Sequence, residues 1–192
     1  MHANSSSSTF EDLSEVKKEV KSFLKLESNR WLKPLDLTSR LDRVDECLHE
    51  RCVVVDQALG RLWDACGLPS TYALIAVGGY GRGELFPYSD VDVLVLMQAE
   101  PTEDEVPKLE WFCGSGWDIG LEIGHSVRTV EQCLEEADKD ISVQTALVEA
   151  RIIAGDSKLF NNLRKKLKSQ LEPESFFRKK TLELKQRHAK YQ

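Results

Sequence analysis

Apolar residues recur at helical spacing in two long stretches near the start of the chain. The first predicts a helix that Ser8 or Thr9 caps and that runs to about Asn29, and the second predicts a helix over residues 39–66. A glycine and a proline in the sequence CGLPS indicate the end of the second helix. The residues before the first helix are polar and are predicted to form a disordered tail over residues 1–9.

The pattern then changes to short runs of apolar and β-branched residues bounded by turn signals, which are typical of strands. The predicted strands are residues 72–77, 91–97 and 119–128. Between the last two, residues 103–113 suit a helix, and the glycines of GSGW indicate a turn at 114–117. This region therefore predicts a small sheet.

Helical spacing returns in the last third of the chain. Thr129 with Gln132 predicts a capping box for one helix, and three further helices are predicted over residues 140–154, 156–170 and 173–191. The boundary between the first two of these is indicated by Gly-Asp, a helix end followed by a cap.

This order of elements predicts an α+β fold in which a small mixed sheet is flanked by N-terminal and C-terminal helices. After the tail, we expect N-terminal helices over residues 10–68, a central core over 69–138 and a C-terminal helical segment over 139–192.

Composition narrows the classes of function. The net charge of −6 and the pI near 5.3 argue against extended binding of nucleic acid, which requires many lysines and arginines against phosphates. No apolar run approaches the roughly 20 residues of a membrane helix, so we expect a cytoplasmic protein. The five cysteines lack a CxxC pair, which indicates reduced thiols.

Two aspartates stand inside the apolar run of the second predicted strand. Asp90 and Asp92 point to the same face because residues two apart in a strand do so. Ionised carboxylates beside valines and leucines require a counter-charge, and a pair of divalent ions such as Mg²⁺ would supply it. Because Mg²⁺ commonly completes its shell with substrate phosphates, the pair points to a nucleotide.

The glycine-rich loop before this strand predicts a phosphate cradle. Gly78 and Gly79 follow the first strand directly and leave backbone N–H groups uncovered. Arg82 adds a cation with forked donors, although an ion pair with Glu84 across the loop is the alternative. The spacing matches neither the P-loop nor the dinucleotide-binding pattern.

The stretch GGYGRGELFPYSDVDVLVL resembles the catalytic signature of the polymerase-β-like nucleotidyltransferases, a glycine pair followed about ten residues later by Asp-x-Asp. More narrowly, it is similar to the N-terminal nucleotidyltransferase domain of the bifunctional uridylyltransferase and uridylyl-removing enzymes. The stretches WDIGLEIGHSVRTVEQC, TALVEARIIAGDSKLF and RHAKY extend the resemblance over roughly residues 60–191.

This resemblance implies transfer of a uridylyl group from UTP to a tyrosine of the PII nitrogen-regulatory protein, with release of pyrophosphate. It also implies that Gly78, Gly79 and Ser89 hold the triphosphate, while Asp90 and Asp92 bind Mg²⁺, in a two-metal site.

The resemblance further implies a third acidic ligand on a neighbouring strand. Glu122 is the candidate, because alternation places it on one face with Gly124, but it could instead pair with Arg128. Asp118 is the alternative third ligand.

Two other functions stay open at this stage. One is transfer of another nucleotide, such as AMP, to a protein or small molecule, since the motif does not fix the base. The other is a nucleotide-sensing module without turnover. The hydrolase and ligand-sensing domains of the bifunctional enzymes do not fit in 192 residues, so we expect either a fragment or a stand-alone relative.

Overall fold

The computed structural model describes the backbone of residues 5–31 and 44–189, with the side chains of residues 12–28 and 44–189. Within these ranges a four-stranded mixed sheet is flanked by helices, which confirms the predicted α+β fold. The strands are β1 (Ala73–Ala76), β2 (Val91–Met97), β3 (Ile123–Thr129) and β4 (Arg151–Gly155). The helices of the described ranges are α1 (Ser5–Trp31), α2 (Val44–Cys66), α3 (Gly78–Gly81), α4 (Val106–Asp118), α5 (Val130–Lys139), α6 (Ile141–Val148), α7 (Ser157–Gln170) and α8 (Pro173–Ala189).

The strands lie in the order β3-β2-β1-β4. β2 runs parallel to β3, with Asp92 opposite Gly124, whereas β1 is antiparallel to both of its neighbours, β2 and β4. The two strands that carry the glycine loop and the acidic pair are therefore the central ones.

Both faces of the sheet are covered, which explains why β2 is an almost continuous apolar run. On one face, Leu94 and Leu96 pack in a core with residues of α5, α6 and α7. On the other, Val93 and Val95 pack in a second core with residues of α1, α2 and α4. Asp92 is exposed, whereas every β2 residue after it is buried.

The three predicted strands are confirmed, although their ends differ. β2 has the predicted bounds, β1 is shorter by one residue at each end, and β3 begins at Ile123 instead of residue 119. The capping box of Thr129 and Gln132 is present at the start of α5.

The N-terminal predictions are partly outside the described residues. α1 begins at Ser5, so the prediction of a disordered tail is wrong for residues 5–9, while residues 1–4 lie outside the described ranges. The predicted start of the second helix at residue 39 also lies outside them, and α2 is described from Val44.

The helix predicted over residues 140–154 is wrong in its last part. α6 ends at Val148, and Arg151–Gly155 pairs with β1 as the fourth strand. The apolar pattern of this segment is compatible with a helix or a strand. Its pairing with β1, which lies far away in the chain, makes it a strand. Gly155 has φ +84°, and a Cβ there would lie 2.2 Å from the carbonyl oxygen of Tyr72, so β4 could not approach β1 with a larger residue.

The turn predicted at GSGW is also wrong, because α4 continues through it to Asp118. Gly116 has a packing role instead: a Cβ there would lie 2.1 Å from Cδ1 of Ile123, so the glycine lets the first residue of β3 rest against the helix. No helix of the described ranges is both long and apolar enough to cross a membrane.

Candidate active site

The acidic pair lies where β2 begins. Asp90 directly precedes the strand and Asp92 is its second residue, and both side chains are exposed. Partial burial raises the pKa of Asp92, and the charge of Asp90 raises it further. Two carboxylates in this arrangement repel each other, and a cation between them would relieve the repulsion.

Two glycines leave free space around the Asp92 carboxylate. A Cβ at Gly78 would lie 3.7 Å from one carboxylate oxygen, and a Cβ at Gly124 would lie only 2.3 Å from the other. The N–H of Val77 donates to the carbonyl oxygen of Asp92 at 3.1 Å and so ties the glycine loop to β2. The carboxylate is therefore flanked by backbone on both sides.

The glycine loop forms α3, a single helical turn. Gly78 has φ +59°, a conformation that favours glycine, and the N–H of Gly81 donates to the carbonyl oxygen of Val77 at 3.0 Å. Val77 provides no side-chain cap, so the first N–H groups of the turn remain open to an acceptor. Open N–H groups of this kind suit phosphate oxygens, and binding of phosphate by Gly78 and Gly79 stays a prediction.

Arg82 is paired with two glutamates. Its Nε donates to Glu84 at 2.8 Å and its Nη1 donates to Glu149 at 2.6 Å, which raises the pKa of the arginine. The alternative of an ion pair with Glu84 is therefore present, while contact between Arg82 and phosphate stays a prediction. The pair with Glu149 connects the loop to the residue after α6.

Ser89 lies in the turn before the acidic pair. It is half-buried, and its N–H donates to the carbonyl oxygen of Phe86 at 3.1 Å; its contact with phosphate stays a prediction. The preceding Tyr88 has φ +67° and is 89% exposed.

The candidates for a third acidic ligand are not gathered around Asp92. Glu122 is exposed and directly precedes β3, where its carbonyl oxygen accepts the N–H of Val91 at 2.7 Å. Asp118 forms an ion pair with Lys17 at 2.7 Å. Within the described ranges, no group of three His, Cys, Asp or Glu side chains is placed to hold a metal ion. The third ligand stays a prediction.

The acidic pair itself suits an ion that takes its other ligands from substrate. The Asp92 carboxylate fits into the room that the missing side chains of two glycines leave, and it has a neighbouring charge of the same sign in Asp90. Mg²⁺ is commonly held by one or two carboxylates together with phosphate and water. Asp90 and Asp92 fit that role without a complete cage of protein ligands.

A buried network that sequence reasoning missed supports the glycine loop. Arg151 of β4 donates two hydrogen bonds to Asp56 of α2, at 2.7 and 2.9 Å. The hydroxyl of Tyr80, which is buried, also donates to Asp56, and the guanidinium of Arg151 lies 4.9 Å from the centre of the Tyr80 ring. No local pattern indicates this network, because its members are far apart in the chain.

A cavity of about 350 Å³ opens beside Asp92 on the face covered by α6. Its floor is formed by β2 and β3, and its wall is formed by α6. The lining residues used below are Gly78, Asp92, Gly124, Ser126, Arg128, Ser142, Val143, Ala146 and Leu147. The volume is within the usual range of small-molecule sites.

Comparison with known proteins identifies similar sequences. The nucleotidyltransferase domain family matches residues 57–190. A bifunctional uridylyltransferase/uridylyl-removing enzyme of Cupriavidus pinatubonensis is 51% identical over 173 residues, or 90% of this chain and 20% of that protein. The proteins of the same name from Burkholderia lata and Burkholderia orbicola are 51% and 52% identical over 82% and 78% of this chain. The chain spans about a fifth of the length of these relatives.

Proposed function

Because the chain belongs to the nucleotidyltransferase domain family, we propose that it transfers a uridylyl group from UTP to a tyrosine hydroxyl of the PII signal protein. Membership confirms the resemblance drawn from the glycine pair and the Asp-x-Asp motif. The choice of uridylyl is supported by the names of relatives about 50% identical to this chain. The PII acceptor follows from the resemblance, and its role would connect the protein to nitrogen regulation in the cytoplasm.

One observation carries the proposal: Asp92 lies between the uncapped glycine turn and the cavity. The Val77–Asp92 hydrogen bond fixes the turn beside the carboxylate, and the cavity extends from the same carboxylate along β3. A nucleoside triphosphate needs both, since its phosphates and its nucleoside lie on opposite sides of the reacting phosphorus. The arrangement accommodates the two parts around one carboxylate.

In the reaction, the tyrosine oxygen of the acceptor forms a bond to the α-phosphorus of UTP. The bond from that phosphorus to the bridging oxygen breaks, pyrophosphate leaves with the electron pair, and the proton of the tyrosine hydroxyl passes to solvent. The N–H groups of Gly78 and Gly79, with Ser89, hold the departing phosphates. Asp90 and Asp92 hold Mg²⁺, with Glu122 as the candidate third ligand, and the metal supplies charge neutralisation at the phosphates.

The test mixes the purified chain with Mg²⁺, a PII protein and UTP or ATP labelled at the α-phosphate. We expect label from UTP on PII, none from ATP, and loss of the signal by at least about a thousandfold in Asp90→Asn. Asp104→Asn, on an exposed loop, is the matched control and should retain activity. If PII is labelled from ATP alone, the proposed activity is wrong and adenylyl transfer takes its place.

A nucleotide-sensing module without turnover is the second candidate. The lack of a three-residue acidic group in the described part of the chain favours it. Such a module would bind UTP with Mg²⁺ but release no pyrophosphate with any acceptor. Direct binding and pyrophosphate assays on the same sample separate the two functions.

A further inference from the structure

The cavity beside Asp92 is asymmetric in charge. Asp92 stands at one end, and Arg128 stands further along β3; it is the only lysine or arginine among the described residues of the lining. Between them lie Ser126 of β3 and Ser142 of α6, while the rest of the α6 wall is apolar. A ligand that fills this space therefore meets the Arg128 guanidinium at one end and the Asp92 carboxylate at the other.

Arg128 is unused by the fold. Within the described ranges its guanidinium has no hydrogen bond or ion pair. A hydrogen bond from Lys139 lowers the pKa of Glu136, and the charge of Arg128 contributes weakly to the same shift. Burial raises the pKa of Cys133, and the charge of Arg128 partly opposes that rise. A guanidinium carries five N–H donors in a planar fork, so an unpaired one that lines a cavity is available to acceptors of a ligand.

The geometry assigns the nucleoside, not the phosphates, to this end of the cavity. Arg128 lies four positions after Gly124, the residue beside Asp92, and this spacing corresponds to about 13 Å along an extended strand. The glycine turn lies on the other side of Asp92, next to β1, and there the leaving phosphates are held in the proposed function. The part of the nucleotide that reaches Arg128 is then the base.

The chemistry of the lining favours one class of base. Guanidinium N–H groups require acceptors, and uracil offers two carbonyl oxygens. Cytosine shares the O2 carbonyl of uracil but carries an amino group in place of O4, and adenine carries an amino group and no carbonyl oxygen. An amino donor that faces Arg128 would leave both groups unsatisfied, so the edge of uracil that contains O4 discriminates. The hydroxyls of Ser126 and Ser142 adapt to either, and Val143 and Ala146 provide an apolar surface for a flat ring.

We infer that Arg128 contacts the O4 carbonyl oxygen of uracil in the cavity beside Asp92 and so selects UTP over CTP and ATP. The inference rests on the proposed function, because it assumes that the phosphates occupy the glycine turn. It adds a specificity-determining residue and a reason for the preference for uridine.

The test measures equilibrium binding of UTP, CTP and ATP with Mg²⁺ to the whole chain and to Arg128→Gln and Arg128→Lys. In Arg128→Gln, the ratio of UTP to CTP affinity should fall at least about tenfold, the usual effect of one forked contact with a base. In Arg128→Lys, most of the preference for UTP over CTP should be lost as well, because lysine keeps the positive charge but lacks the planar pair of N–H donors of the guanidinium. Arg178→Gln, on the exposed surface of α8, should leave the ratio unchanged.

Equal weakening of all three nucleotides in Arg128→Gln would overturn the inference, since it would place Arg128 on a phosphate. An unchanged ratio would overturn it as well. If the variants do not fold, competition against UTP in the original chain replaces them. UMP must then compete at least about tenfold better than CMP, and equal competition by the two overturns the inference.

Failure of the proposed function gives a different result. If the chain prefers UTP through Arg128 but transfers nothing to PII, the inference about Arg128 stands and the assignment of PII as the acceptor is wrong. A chain that binds no nucleotide would overturn both.

Discussion

Gly124 of β3 lies directly beside Asp92 of β2, so closely that a Cβ on Gly124 would be 2.3 Å from a carboxylate oxygen. The two residues are opposite each other in the parallel register, with their side-chain positions on the same face of the sheet. The conformation of the Asp92 carboxylate therefore depends on the absence of a side chain on the neighbouring strand.

Gly124→Ala should lower activity without unfolding the protein. The added methyl group forces the Asp92 carboxylate to rotate toward solvent, so we expect transfer to fall at least about tenfold and the requirement for Mg²⁺ to rise. Because Asp92 is exposed, the free energy of unfolding should change by less than about 1 kcal/mol. Titration of activity with Mg²⁺ and urea unfolding measure the two effects.

The control for this variant is Gly60→Ala in α2, where a Cβ would meet no atom within 4 Å. It should keep the Mg²⁺ requirement of the original chain. Full activity of Gly124→Ala would show that Asp92 does not need its present conformation.

Gly81→Ala should destabilise the glycine turn. Its Cβ would lie 2.7 Å from the carbonyl oxygen of Glu149 and 3.0 Å from that of Ala76, and both are backbone atoms that cannot move aside. Overpacking of this kind costs about 1–3 kcal/mol, which urea unfolding measures. Nucleotide affinity should fall in parallel, since the turn must shift.

The matched control is Gly114→Ala, also at a helical position, where nothing lies within 4 Å of the Cβ. Alanine there should stabilise the protein by about 0.5–1 kcal/mol. Equal effects of the two substitutions would contradict the close contact at Gly81.

Removal of Asp56 should leave Arg151 and the Tyr80 hydroxyl without their shared acceptor. Loss of one partner of a buried ion pair costs about 3–5 kcal/mol, and the side chains of this pair are 27% and 30% exposed, so we expect about 2 kcal/mol for Asp56→Ala. Urea unfolding tests this, with Asp64→Ala on the exposed side of the same helix as the control. A double substitution with Arg151→Met should recover part of the loss, and strict additivity would contradict a direct interaction.

The buried thiols should make the protein sensitive to alkaline pH. All five cysteines are free, and burial raises the pKa of Cys66 to about 11 and that of Cys133 to about 12, from 9.0. Because the folded chain holds these thiols protonated, their contribution to stability is complete below about pH 9 and is lost as the pH rises toward 11 and 12.

We therefore expect iodoacetamide at about pH 8.5 to modify Cys66 and Cys133 slowly in the folded protein and rapidly in guanidinium chloride. Peptide mass spectrometry identifies the sites. Rapid modification of both in the folded protein would contradict their burial.

The parts of the fold that depend on local pattern were predictable. β2 has the predicted bounds because a polar turn precedes its apolar run, and the α5 capping box requires only residues three apart. β4 was not predictable, because RIIAG becomes a strand only when it pairs with β1 across the fold. The same reason hid the pairing of Arg82 with Glu149, although the local pair with Glu84 was foreseen.

In the candidate site too, the local features were predictable and the features that depend on tertiary contacts were not. Spacing alone indicated that Asp90 and Asp92 act as a pair beside glycines. The position of Glu122 depends on where β3 begins, and α4 is longer than its sequence indicates, so the third ligand could not be placed. Arg128 attracted attention only as a partner for Glu122, since the cavity wall is formed by α6, a helix distant in the chain.

The late position of β4 in the chain determines when the sheet can be completed during synthesis. β1 carries the glycine turn at its end, but one of its two neighbouring strands follows about 80 residues later in the chain. Pairing over such a separation is slow to form, and on the ribosome it must wait until β4 has emerged. Until then one edge of β1 has no partner, so the candidate site at the end of β1 should form late, and chaperones that shield strand edges would act during this interval.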